Sequence, residues 1–262
     1  MFAQESYVCK VEWGKRGARE AAERGDITIV VDVLSFSSTV ITALHHGAII
    51  YPYPPPIGEK AKAYAKQFGA ELLLGRVEAV RQGTPSLSPI SYGPQDRGQS
   101  YVLCSLNGAH AAWLAADASF LLLGGLLNAS AVAEHAHILH TMTGAGITVI
   151  PCGEHWQQGK PDENDLRPAI EDYLGAGAIL CKLSGSKSPE AQVCEAAFLS
   201  SRPQLEAFIW DCGSGRELRE LGFAEDVHHC SQLDAMQVVP WLNNDHFTPL
   251  LVSGGQQRAI LY

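Results

Sequence analysis

A chain of 262 residues, 46% of them hydrophobic, is long and apolar enough to build a substantial α/β core. Its net charge of −9 argues against nucleic acid or an anionic membrane as the main partner, so an anionic ligand must find local positive charge. The 7 cysteines (Cys9, Cys104, Cys152, Cys181, Cys194, Cys212 and Cys230) form no CxxC pair, which fits reduced thiols better than a disulfide framework or a zinc site.

The first residues lack a signal-peptide core, and the apolar run 118–127 is too short for a bilayer. A soluble cytoplasmic protein is expected. Tyr7 to Trp13 alternates as a first strand, and Gly14 to Arg24 is a polar helical stretch. Ile27-Thr28-Ile29-Val30-Val31 is an unbroken β-branched run, as in a strand buried on both faces of a parallel sheet. It ends at Asp32, and the hydroxyls of Ser35, Ser37, Ser38 and Thr39 lead into a helix that stops before Gly47. An acid there can hold a hard cation, and the hydroxyls with the free N–H groups of the helix start can hold an oxyanion. The same residues also fit plain capping, by Ser37 or Ser38 on the helix and by Asp32 on its own turn.

Ala48 to Tyr53 is a short strand stopped by Pro54-Pro55-Pro56. Glu59 to Phe68 reads as a surface helix, with Ala61, Ala65 and Phe68 on one side, and Glu71 to Gly75 as a buried strand. Arg76 to Gly98 lacks periodicity and reads as a long loop, often a functional feature. Its candidate anion contacts are Arg76, Arg81 and Ser88, against the commoner reading of a solvent-facing Arg. Strands follow at Tyr101–Cys104, Phe120–Leu123 and Ile147–Ile150. Helices follow at Ala109–Ala116, from Asn128-Ala129-Ser130 to His140, and at Leu166–Leu183, the last carrying Glu171 and Asp172. This alternation predicts helices on both faces of a mostly parallel sheet, with ligands at the carboxyl edge. Asp32, Ser105, Asn107, Asn128 and Glu154 all stand just past strand carboxyl ends.

Further along, Ser188-Pro189-Glu190 starts a helix with Pro at its first position. Gln204 to Trp210 is helical, and Ser214 with Glu217 has capping-box spacing for a helix ending at Gly222. Arg216 in that first turn either reaches a bound anion or pairs with Glu220 or a neighbour. Leu233–Pro240 and Ala259–Tyr262 read as closing edge strands. Neither nucleotide fingerprint, GxxxxGK[ST] nor GxGxxG, occurs, and there is no GxSxG elbow. Leu34 stands where an Asp-x-Asp phosphatase needs its second acid. His135, His137 and His140 point apart on a helix and read as solvated, whereas His155 is better placed to approach a ligand.

Val31-Asp32-Val33-Leu34 with its Ser/Thr cluster resembles the opening motif of the 2-phosphosulfolactate phosphatases of coenzyme M biosynthesis. So do Asn107-Gly108, Asn128-Ala129, Cys152-Gly153-Glu154, Glu171-Asp172 with Gly175-Ala176-Gly177, Ser214-Gly215-Arg216 and Val239-Pro240, in order from Ile27 to Leu242. The resemblance implies a three-layer α/β/α fold with a largely parallel or mixed sheet. A single domain over 1–262 is expected, with the helical segment at about 188–222 packed on it. It also implies Mg²⁺-dependent hydrolysis of a phosphate monoester to sulfolactate and phosphate.

In that reading Asp32 is a metal ligand or the nucleophile, and Glu154 is the second catalytic carboxylate. Glu171 or Asp172 supplies a further ligand, since neighbours on a helix do not both face one site. Ser35, Ser37, Ser38, Asn107, Gly108 and Asn128 contact the substrate, and Arg216 closes over its second acidic group. The implied partner is a small phosphorylated anion, with a homodimer as the candidate assembly. There are departures: Ser35 replaces the family's usual Arg, and a loop with Asp and Asn is reduced to Gly83-Thr84-Pro85-Ser86-Leu87. Cys104-Ser105-Leu106 replaces a Thr-rich approach to Asn107, and His110 replaces a later Arg. These departures leave open a catalytically silent binder of a phosphorylated or sulfonated metabolite, and, more remotely, a scaffold.

Overall fold

The computed structural model describes residues 4–251 apart from 157, 159 and 161. Strand and helix alternate through β1 (Cys9–Val11), α1 (Gly14–Glu23), β2 (Ile27–Val31), α2 (Phe36–His45), β3 (Ile49–Tyr53), α3 (Glu59–Gln67) and β4 (Glu71–Leu72). Next come α4 (Arg76–Gln82), β5 (Ser100–Cys104), α5 (Gly108–Leu114), β6 (Phe120–Gly124), α6 (Ala129–Thr143) and β7 (Ile147–Pro151). A small hairpin of β8 (Glu154–His155) and β9 (Leu166–Arg167) precedes five helices: α7 (Ile170–Leu180), α8 (Pro189–Ser201), α9 (Leu205–Asp211), α10 (Gly213–Glu220) and α11 (Ala224–Cys230). The strands β10 (Pro240–Asn243) and β11 (His246–Pro249) come last.

Nine strands form one sheet in the order β1-β7-β2-β6-β10-β11-β3-β5-β4. All neighbours are parallel except those involving β10 and β11. The unbroken apolar run of β2 is buried throughout, because successive side chains face opposite layers. Ile27, Ile29 and Val31 enter a core with Leu139 of α6, Leu180 of α7 and Phe198 of α8. Val30 enters a second core, on the other face, with Ala18 of α1, Val40 of α2 and Ala112 of α5. Helices on both faces of a largely parallel, mixed sheet give the expected α/β/α layering. All seven cysteines are free. No helix of the described residues is long and apolar enough to cross a membrane.

Several elements differ from expectation. Arg76–Gly98 is not a plain loop: Arg76–Gln82 contains no Pro or Gly, forms α4, and is closed by Gly83 at φ +68°. Leu166 and Arg167 are strand rather than helix, because a residue preceding proline is driven towards extended backbone and Pro168 follows Arg167. The Ser214 capping box does not form, since α10 already starts at Gly213 with Cys212 as its cap. Leu233–Val239 is not an edge strand. The strands nearby are β10 and β11, joined at Asn244 (φ 55°), and they lie in the middle of the sheet. The expected strand at Ala259–Tyr262 lies outside the described residues.

The β10–β11 hairpin divides the sheet into two parallel blocks, β1-β7-β2-β6 and β3-β5-β4, and is antiparallel to its neighbour on each side. Each join rests on one registered residue pair, Trp241 with Leu122 and Phe247 with Ile50. The turns after β2, β6 and β7 therefore share an edge, as expected. The turn after β5 belongs to the other block, and reaches the same region where α5 packs against α1, α2 and β2.

Glycines in α7 let α8 close onto it. A Cβ at Gly177 would overlap Cys194 O and lie 2.7 Å from Phe198 Cβ. Because a backbone carbonyl cannot turn aside, Gly177→Val is expected to destabilise the fold by about 3 kcal/mol. Thermal unfolding against the parent chain measures this.

Candidate active site

Asp32 stands one residue past β2 and is almost fully buried. Its Oδ1 accepts from Phe36 N–H at 3.1 Å, and its Oδ2 accepts from Gly108 N–H at 2.8 Å. The first bond caps the start of α2, so the capping reading of Asp32 is realised. The second joins this turn to the start of α5. Glycine is required at 108, because a Cβ there would come within 2.7 Å of Asp32 Oδ2 and would also strike Phe36.

Asp172 performs the same task beside it. Its Oδ1 accepts from Val33 N–H at 2.7 Å and its Oδ2 from Gly153 N–H at 2.9 Å. It thus joins α7 to the turns after β2 and β7. Glu154 turns its Oε2 to Asn107 Nδ2 at 2.9 Å, while Asn107 Oδ1 is buried and unpartnered. Glu171 is also buried and acts on Asp32, Glu154 and Asp172. Of the two neighbours on α7, Asp172 bonds the turns directly, and Glu171 acts on the cluster through its charge.

Negative charge accumulates here without enough compensation. Burial raises the Asp32 carboxyl above its ordinary value, and the Glu171 charge adds to this; the two backbone N–H groups and Arg76 pull the other way. Asp172 is driven well above the carboxylate range by burial, then by Asp32 and Glu171. Burial, followed by repulsion from Asp32, pushes Glu154 up to about 7.

Arg76, at the start of α4, is the cation that acts on Asp32. It is mostly buried rather than solvent-facing. Its Nη2 donates to Ser35 Oγ, and to Leu87 O at 2.8 Å, and its Nε lies 3.5 Å from Asp226 Oδ2. Asp226 is buried in α11 and accepts from Ser88 Oγ at 2.6 Å. The guanidinium also lies 5.7 Å from the Phe223 ring centroid. Asp226 carries no motif, and its part in orienting Arg76 appears only when α4 and α11 meet.

The other expected residues separate into two groups. Ser35, Asn107 and Gly108 gather around Asp32 and Glu154. Ser37 and Ser38 are close by, but their hydroxyls donate to Val30 O at 3.1 Å and Val33 O at 2.8 Å, and both residues are fully buried. Ser105 Oγ accepts from Asn107 N–H at 3.3 Å. Asn128 is spent on its own turn: its Oδ1 accepts from Gly125 N–H, and its Nδ2 donates to Leu123 O and Val238 O. Arg216 is half exposed, donates to Asp211 O, and pairs with the Asp211 carboxylate at 3.4 Å. Arg81 is exposed, and His155 pairs with Asp165 at 2.9 Å.

A hard cation fits this donor set. The orphaned Asn107 Oδ1 lies beside carboxylates that repel one another, and all of the donors are oxygens. Among the described residues no three His, Cys, Asp or Glu side chains form a ready-made cage. Mg²⁺ does not need one, since it keeps several waters and is held through one or two carboxylates.

The model of the 2-phosphosulpholactate phosphatase family matches residues 15–245. Curated relatives described as "Probable 2-phosphosulfolactate phosphatase" include one from Caldanaerobacter subterraneus subsp. tengcongensis, 31% identical with 82% of this chain and 87% of the relative covered. Another, from Carboxydothermus hydrogenoformans, is 30% identical over 81% of this chain and 84% of its own length. A third, from Pseudothermotoga lettingae, is 29% identical over 87% of this chain and 94% of its own length. With its family model matched from residue 15 to residue 245, the chain belongs to the 2-phosphosulpholactate phosphatase family.

Proposed function

We propose that this protein hydrolyses a small acidic phosphate monoester, 2-phosphosulfolactate by family likeness, to sulfolactate and phosphate with the help of Mg²⁺. The observation that carries this reading is the pair of anchored acids, Asp32 and Asp172, beside Glu154 and the unpartnered Asn107 Oδ1.

Phosphoryl transfer passes through a loose transition state, so it depends on charge neutralisation and alignment more than on a strong nucleophile. Bound Mg²⁺ would supply charge neutralisation for the phosphoryl oxygens, held by Asp32 with Asn107 Oδ1 and with Glu171 or Asp172 near. Asp32 is better suited to holding a cation than to attack, since backbone N–H groups fix both of its oxygens. Arg76 would grip the phosphate from the Ser35 side. It brings a guanidinium to the side chain where the family resemblance expects an Arg, and this favours an active enzyme over a silent binder.

An alkyl phosphate leaves as an alkoxide and needs a proton. Glu154 suits that task, because burial and repulsion from Asp32 favour the protonated form of its carboxyl, pushing it up to about 7 before any metal binds. Asn107 Nδ2 donates to its Oε2, which leaves Oε1 to hold the proton.

Three outcomes are expected. Asp32→Asn lowers Mg²⁺-dependent kcat/KM on 2-phosphosulfolactate by at least about 100-fold. An amide has one acceptor for the two N–H groups, so the melting temperature also falls, and turnover is read well below the transition. Turnover equal to the parent chain removes Asp32 from the mechanism.

The second outcome concerns pH. In metal-free buffer, a carboxyl raised from 4.5 to about 7 binds its proton more tightly in the folded state than in the unfolded one. Its contribution to stability is therefore complete below about pH 4.5 and is lost as pH rises through about 7. Melting temperatures recorded across that window fall for the parent chain, and Glu154→Gln flattens the decline.

The third outcome concerns the metal. Adding Mg²⁺ raises the melting temperature near neutral pH, and Asp32→Asn weakens the shift. No shift in the parent chain argues against a resident cation.

A further inference from the structure

Arg167 is the other basic residue placed by the turns of this region. It lies on β9 directly opposite Glu154 of β8, so the two side chains leave the same face of the hairpin. They then diverge. Glu154 turns to Asn107, whereas the Arg167 guanidinium lies against the first residue of α10. A Cβ at Gly213 would come within 2.7 Å of Arg167 Nη2, so the absence of a side chain there gives the guanidinium room to rest on that backbone. The face of Trp156 holds it from another side, with the guanidinium carbon 5.4 Å from the ring centroid. No carboxylate pairs with Arg167 among the described residues, although the chain carries a net charge of −9.

A second unpartnered group lies in the same turn. Ser214 is 5% exposed, and its Oγ is buried with no hydrogen-bond partner. Ser214 is the second residue of α10, where backbone N–H groups lack helical acceptors and the helix dipole favours negative charge. Cys212 Sγ takes the Gly215 N–H at 3.3 Å. The charges of the acidic cluster reach this turn: Glu171 acts on Cys212, and Glu217 of α10 acts on Glu154. An unpaired guanidinium, an unsatisfied hydroxyl and a helix start thus meet beside the strand that pairs with Glu154.

We propose that Arg167, with Ser214 and the amino end of α10, binds the second acidic group of the substrate, a sulfonate or carboxylate, while Arg76 and the acidic turns handle the phosphate. The inference rests on the phosphatase reading above and places substrate selectivity in Arg167 rather than in Arg216. A guanidinium suits the task because its planar fork donates two parallel N–H groups to a pair of oxygens.

The test pairs kinetics with direct binding. For Arg167→Ala, KM for 2-phosphosulfolactate rises at least about tenfold with kcat nearly unchanged, and kcat/KM for p-nitrophenyl phosphate, which lacks a second acid, stays at the parent level. Arg167→Lys falls between the two. Ser214→Ala moves KM in the same direction, and it serves if Arg167→Ala does not fold, as judged by melting temperature. Calorimetric titration with sulfolactate shows binding by the parent chain and loss of at least about tenfold in affinity for Arg167→Ala. Equal losses on both phosphate esters, or sulfolactate binding unchanged by the variants, overturn the inference. If the parent chain hydrolyses neither ester, the phosphatase reading fails, and the sulfolactate titration still decides the role of Arg167. Absence of binding by the parent chain then counts against it.

Discussion

Two buried carboxylates hold the turns of this protein together. Asp32 takes the N–H groups of Phe36 and Gly108, and Asp172 takes those of Val33 and Gly153. Four bonds thereby connect the ends of β2 and β7 with the starts of α2, α5 and α7. Bonds from backbone N–H to a charged oxygen are among the stronger ones a fold can make. They also bring negative charge where water is scarce. Burial and mutual repulsion then raise both carboxyls, as well as Glu154 beside them. The groups that organise the turns are therefore also the ones that concentrate negative charge, so structure and electrostatics share the same atoms.

The sheet makes this crowding possible. β2 lies between β7 and β6 with both faces covered, so the residue after it emerges at a fixed place. The antiparallel β10–β11 hairpin then interrupts the parallel order. As a result Asn107 and Gly108 come to Asp32 from a different block, and α5 makes the final approach. Glycine at 108 is what allows backbone to touch carboxylate there.

Positive charge enters from outside the strand turns. Arg76 opens a short helix, and Asp226, itself bonded to Ser88, lies beside its Nε. Arg167 is kept apart from Glu154 by the packing of its guanidinium on Gly213 and Trp156. The proposed division of a phosphate ester with a second acidic group between two cationic contacts rests on the separate placement of these two arginines.

The amino-acid order alone determined the β2 strand, the acid that ends it, the alternation of strand and helix and the ordered motifs of the family. These are local properties: burial on both faces requires an unbroken apolar run, and a helix start selects for capping groups. Ser37, Ser38 and Asn128 show where such reasoning stops. They stand in the expected turns, but their polar atoms are consumed by neighbouring backbone. Arg216 stands in a recognisable motif yet turns outward to Asp211, while Arg167, next to a proline in a two-residue strand, turns towards α10. Only tertiary structure decided which of these side chains kept a free hydrogen-bonding group. That outcome depends on contacts between residues far apart in the chain, such as Ser88 with Asp226 and Asp172 with Val33, and no local pattern encodes them.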